Sequence, residues 1–99
     1  MQLNLENLLV EHNQAAQRFE AKLDGELAVV EYQRQENTLY FTHTEVPNQF
    51  RGQGVAEKLA HSALEYARAH QLTVVPLCSF IAAYLRRHPE YKTLVQNLY

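Results

Sequence analysis

The sequence holds a single cysteine, Cys78. One thiol rules out an internal disulfide framework and any zinc site built on several thiolates. The histidines do not make up for it. His12 and His88 stand far apart in the chain, and His61 and His70 fall on what reads as a helix surface, so no metal is expected. No apolar run approaches the ~20 residues that cross a bilayer, and no transmembrane helix is predicted. Basic residues are in no excess: nine Lys and Arg face eleven Asp and Glu, for a formal charge of −2. A nucleic-acid surface needs a basic excess or stripe, so no nucleic-acid partner is expected and an anionic ligand must be met by local groups. Residues 1–11 are acidic and lack the basic start of a signal peptide. The expected compartment is therefore cytoplasmic, where Cys78 stays a free thiol. Repeats and low-complexity tracts are missing too.

What is present reads as one small globular domain. With 99 residues, 46% hydrophobic and 20% charged, there is room for one core and not two, so residues 1–99 are taken as a single domain. A chain of this size buries about 60–70% of its extended surface, enough for a core without staples.

Residues 2–13, with Leu3, Leu5, Leu8, Leu9 and Val10, fit either a short helix or an edge strand. Phe19, Ala21 and Leu23 then alternate with Glu20 and Lys22, the period of a half-buried strand. Asp24-Gly25 is a strong hairpin turn. A second strand over 27–34 sets Ala28, Val30 and Tyr32 on one face, and a third over 38–46 is rich in β-branched and aromatic residues. Pro47 ends it.

After Gly54 the period changes. Val55, Leu59, Ala63 and Tyr66 recur at helical spacing beside a stripe of Ala56, Ala60, Leu64 and Ala67. This predicts a helix over 54–70 lying against a sheet. Residues 72–75 read as a short buried strand ended by Pro76. Ser79 is expected to N-cap a last helix over 80–88, with Phe80, Ile81, Tyr84 and Leu85 inward. Arg86, Arg87 and His88 fall where the helix dipole favours cations. Pro89 is the stop, and residues 91–98 add a turn or two. The order is β-β-β-α-β-α. The long helix is a crossover between parallel third and fourth strands, which defines an α+β or mixed α/β sheet.

The segment from Val46 to Leu59 carries the chemistry. It is a strand, a glycine-bearing loop and a helix N-terminus, whose first-turn amides are unpaired and carry about half a positive charge. Small residues at Gly52, Gly54 and Ala56 let an anion approach that backbone, and Arg51 adds a bidentate donor. A phosphate or pyrophosphate is the natural guest. The spacing is neither a Walker A loop nor a dinucleotide fingerprint. It is Arg-x-x-Gly-x-Ala, on Arg51, Gly54 and Ala56.

That spacing resembles the [QR]-x-x-G-x-[GA] motif of the GNAT acetyltransferases. His43-Thr44-Glu45-Val46-Pro47, Val75-Pro76-Leu77-Cys78-Ser79-Phe80, Arg18-Phe19-Glu20 and Asp24-Gly25 make the chain similar to a small stand-alone branch of truncated GNAT-like proteins, from about His12 to Tyr91. It departs from the wider superfamily in lacking the N-terminal strand-and-helices region that usually builds the acceptor site.

The resemblance implies a GNAT-like fold, acetyl-CoA as acyl donor, and transfer of acetyl to an amine. It implies that backbone donors at Gly52, Gln53, Gly54, Val55 and Ala56 hold the pyrophosphate with Arg51. It implies that His43, Thr44, Glu45 and Val46 pair with the pantetheine arm, Val46 nearest the acetyl group. A backbone N–H there would stabilise the oxyanion, an effect of about 3 kcal/mol in acyl transfer. The amine must arrive neutral, through a base or a water chain; the candidate bases are His43 and Glu45, which are read as alternating on the strand so that only one faces the site. The leaving thiolate is protonated by Tyr84 or by Cys78, which could also carry the acetyl group transiently. Cys78 reads equally as a small buried hydrophobe and Tyr84 as a core residue. The function expected is N-acetyl transfer to an amine of unspecified kind, a protein lysine, a polyamine or a small metabolite. The alternatives are a CoA-binding module without turnover and an interaction domain on the same fold. A partner protein could complete the acceptor side.

Overall fold

The computed structural model describes residues 3–95. Their order is β1 (Glu11–Asn13), β2 (Arg18–Leu23), β3 (Glu26–Gln35), β4 (Thr38–Glu45), α1 (Val55–Ala69), β5 (Thr73–Pro76) and α2 (Ser79–Arg87). Single 3-10 turns lie at Leu5–Asn7 and Asn48–Phe50, and a longer one at Pro89–Leu94. The five strands form one sheet in sequential order, antiparallel from β1 to β4 and parallel between β4 and β5. The mixed sheet and the crossover helix are as the periodicity predicts.

Asp24 and Gly25 join β2 to β3 with positive φ at both residues, 50° and 81°. That is the two-residue turn whose twist matches paired strands. The register it sets, Ala21 opposite Ala28 and Phe19 opposite Val30, puts Phe19, Ala21, Leu23, Ala28 and Val30 on one face. With Tyr32, Leu39, Phe41 and Val74 they meet the buried stripe of α1, which is Val55, Leu59, Ala60, Ala63, Leu64 and Ala67. The three alanines bring the helix close to the sheet. Burial of each leucine contributes about 1.5–3 kcal/mol.

Two expectations change. Residues 2–13 are neither one helix nor one strand: a 3-10 turn is followed by β1, so the meander has four strands before α1 rather than three. β1 is three polar residues long and has no alternation to read. It is held because His12 stacks on Phe19 with ring centroids 4.0 Å apart. The N-cap of α2 is Cys78 rather than Ser79, with no side-chain cap bond, because the turn after Pro76 is fixed by backbone bonds and not by a hydroxyl. The last stretch, 91–98, resolves into part of the 3-10 turn and a parallel bridge from Val95 to Val74; residues 96–98 lie outside the described part.

Candidate functional site

The parallel pair β4–β5 ends early. Phe41 opposite Pro76 is its last step. The Phe41 carbonyl then accepts two bonds, from the Leu77 amide at 3.0 Å and the Cys78 amide at 2.9 Å. β4 runs on through Glu45 while the other chain turns away into α2. Residues 42–45 of β4 have no backbone partner on that side among the described residues. The sheet therefore opens as a fork, and the fork carries exposed strand hydrogen-bonding groups. A register shift in the β3–β4 pairing between Glu31 and Tyr32 bends β4 at this level, as bulges do.

The N-terminus of α1 faces the same opening. Its first helical bond is the Lys58 amide to the Gly54 carbonyl at 3.0 Å, so the amides of Val55, Ala56 and Glu57 precede the ladder. Gly52 and Gly54 have φ of 78° and 90°, values that L side chains resist. They are glycines for different reasons. A Cβ on Gly52 would meet open space, but one on Gly54 would lie 2.8 Å from Cδ1 of Leu5. The small size of Gly54 thus accommodates the N-terminal segment, in addition to whatever approaches the loop.

Fork and helix end share one cleft of about 560 Å³, lined by Thr44, Glu45, Val46, Phe50, Arg51, Gly52, Gly54, Val55, Ala56, Glu57 and Phe80. Eight of the predicted residues meet here: Thr44, Glu45, Val46, Arg51, Gly52, Gly54, Val55 and Ala56. Arg51 is exposed, and its Nε donates to the Val46 carbonyl at 3.2 Å. The bond ties the loop to the end of β4 and leaves the terminal guanidinium nitrogens for a ligand.

His43 reaches the cleft through Glu45, donating from Nε2 to Oε1 at 3.0 Å. This overturns the reading of the two as alternating: residues two apart on a strand share a face, and Glu45 is in the cleft lining with His43 beside it but outside the lining. Cys78 joins from the other arm, its Sγ 3.3 Å from the Thr44 hydroxyl. Gln53 is not in the lining, and its side chain turns back to donate to the Gln49 carbonyl at 3.2 Å. Tyr84 is buried and stacks on His88 at 4.0 Å. It is outside the lining but one turn from Phe80, which is in it. Burial, then the carboxylates Glu90 and Glu57, push its phenol pKa up, so it stays protonated.

Sequence reasoning missed Phe50, Glu57 and Phe80 as walls. Phe50 is a lone aromatic in a polar loop, which was the available signal. The spacing of Phe80 reads as core, and Glu57 carries no signal beyond its place in the first turn of α1. Among the described residues there is no group of three or more His, Cys, Asp or Glu placed to hold a metal. Nor is any helix long and apolar enough to cross a membrane.

A forked parallel pair over the N-terminus of its crossover helix defines an acyl-CoA-type N-acyltransferase fold, and residues 18–94 match the GCN5-related N-acetyl-transferase family. The chain belongs to that family, whose fold generally binds acetyl-CoA. It is similar to Protein NATD1 of Xenopus tropicalis, 33% identical over 86 residues that cover 84% of this chain and 79% of that protein. It is similar to Protein NATD1 of Homo sapiens at 32% over 83 residues, covering 81% and 74%. A GCN5-like protein from Staphylococcus aureus, solved by NMR in solution, superposes with a TM-score of 0.74 at 28% identity over 96% of this chain and 94% of that one.

Proposed function

We propose that this protein transfers acetyl from acetyl-CoA to a primary amine, by direct attack in a ternary complex, in the cytosol. The observation that carries the reading is the fork: unpaired β4 backbone and the free amides of α1 open into one cleft beside Arg51. The donor set fits the coenzyme. A pyrophosphate matches the backbone donors from Gly52 to Ala56 and the guanidinium of Arg51. A peptide-like pantetheine arm matches the open strand edge of residues 43–45, running on to Val46. Acetyl-CoA supplies an activated thioester there.

The chain supplies position and protons. The Val46 backbone N–H is the candidate oxyanion donor. The His43–Glu45 pair is the candidate base, acting as one unit because the carboxylate orients the imidazole. Cys78, bonded to Thr44, or the protonated Tyr84 serves the leaving thiolate, and Cys78 is also the one candidate for a covalent relay. A single free thiol supports the cytosolic setting.

Titration calorimetry of the protein with acetyl-CoA and with CoA, repeated on Arg51→Glu, tests the site. Micromolar binding lost in the variant supports it. No heat and no thermal shift with either ligand would overturn it. One observation favours a second reading, a CoA-binding module without turnover. The His43 and Glu45 side chains are 54% and 61% exposed, so the acceptor side has no wall at the base. CoA binding with no acetylation across a panel of lysine peptides, polyamines and small amines would select this reading.

A further inference from the structure

The segment before β1 is the part of the chain that neither the motif nor the fold explains. Its 3-10 turn is capped by Asn4, whose side-chain oxygen accepts from the Glu6 amide at 3.1 Å. Leu3, Leu5, Leu8 and Val10 pack partly buried against the core. This strap does not lie at random. Cδ1 of Leu5 fills the space beside Gly54 where a Cβ would be. The Leu5 carbonyl accepts from the Lys58 ammonium. A hollow beneath the strap is walled by Phe50, which also walls the coenzyme cleft. The strap thus touches the loop and the first turn of α1 from behind, through Phe50, Gly54 and Lys58.

Lys58 runs against expectation in the first turn of a helix, where a cation opposes the dipole. Capture of its ammonium by the Leu5 carbonyl gives it a role there. The loop it braces needs one. Gly52 and Gly54 are conformationally permissive, no side chain caps α1, and anion binding requires the first-turn amides to point one way.

We propose that the N-terminal strap is a positioning element of the coenzyme site, with Leu5 and Lys58 as positioning residues that hold the loop 52–56 and the first turn of α1 in the anion-binding conformation. Neither residue touches the ligand. The inference rests on the coenzyme reading for its consequence, but its structural part is testable in the ligand-free protein.

The experiment measures amide hydrogen exchange across the chain, and CoA affinity by calorimetry, for the parent, Leu5→Ala, Leu5→Met, Lys58→Met and, as control, Leu9→Ala, whose side chain is 70% exposed on the same segment. The expected result is exchange at least fivefold faster in residues 52–59 of Leu5→Ala and Lys58→Met, with β2 and β3 amides unchanged. CoA Kd should rise at least fivefold in the same two variants. Leu5→Met should restore both, and Leu9→Ala should change neither. A speed-up spread evenly over the sheet, or loop exchange equal to the parent's, would overturn the proposal. If the parent shows no heat with CoA, the coenzyme reading falls, and the exchange data alone still decide whether the strap braces the loop.

Discussion

The hydroxyl of Thr44 and the thiol of Cys78 meet at 3.3 Å across the mouth of the fork. One stands on β4 where its pairing has lapsed, the other at the N-terminus of α2. The contact therefore bridges the two arms that a pantetheine chain would enter between. A thiol doing acid or relay chemistry there should matter to turnover and not to coenzyme affinity. Cys78→Ala is expected to lower acetylation about 10²-fold, the lower range for a positioned proton donor, while CoA affinity stays within about twofold. Intact-mass analysis of the parent with acetyl-CoA and no amine separates the roles, since an acetyl adduct on Cys78 marks a relay. Unchanged turnover in the alanine variant would reduce Cys78 to a packing residue.

Gly52 and Gly54 offer a graded pair. Alanine at Gly52 bears the cost of its φ of 78° alone, about 1–2 kcal/mol. Alanine at Gly54 bears a similar cost at φ 90° and also meets Leu5, and overpacking adds about 1–3 kcal/mol. Thermal denaturation should rank Gly54→Ala below Gly52→Ala, with about 4–8 °C for each kcal/mol in a domain of this size. Adding Leu5→Ala should recover part of the Gly54→Ala loss. Equal melting temperatures for the two glycine variants would contradict the contact.

Tyr91 is buried, and its phenol donates to Glu65 Oε2 at 2.6 Å while accepting from His61 Nδ1 at 3.1 Å. Arg68 pairs with the same carboxylate and lies 5.1 Å from the Tyr91 ring centre. The Tyr91 bond, ahead of Arg68, holds the Glu65 carboxyl below its ordinary value. A depressed carboxyl contributes stability above the unfolded pKa that is lost as pH falls through the folded one. Tyr91→Phe should lower the melting temperature at pH 7 and bring the Glu65 titration, followed by NMR, back toward the ordinary range. A Glu65 titration unmoved by the change would show that Arg68 alone sets it.

His12 packs against the C-terminal half of α1. Its Nε2 lies 2.6 Å from the Tyr32 hydroxyl, and its ring packs on Phe19 and against the edge of Tyr66. Burial, then the charges of His70 and Arg34, depress its pKa below 6.5. The fold therefore favours neutral His12, and stability should fall as pH drops from about 6.5 through the lowered value. Melting curves at pH 7.5 and 5.5 should show a decline that His12→Phe flattens. An identical decline in that variant would assign the effect to other groups.

Much of this was legible because it rests on local rules. The Asp24-Gly25 turn, the alternation at Phe19–Ala21–Leu23 and the stripes of α1 each fix their element without distant help. The loop from Arg51 to Ala56 was readable because its chemistry lies in the backbone, which glycine spacing reveals. What stayed hidden depends on partners far along the chain. β1 exists because of Phe19, the Leu5 turn because of Gly54 and Lys58, and Tyr91 finds Glu65 across 26 residues. The pairing of His43 with Glu45 was available from strand period alone, since residues two apart share a face.

The doubly bonded Phe41 carbonyl also sets a depth gauge. Its two acceptances from Leu77 and Cys78 stop the gap between the strands from unzipping further toward Tyr40. Whatever chain slides into that gap finds a floor at a set level, and can go one residue deeper only by breaking both bonds together. The length of arm that the cleft can read is thus written into a single carbonyl group.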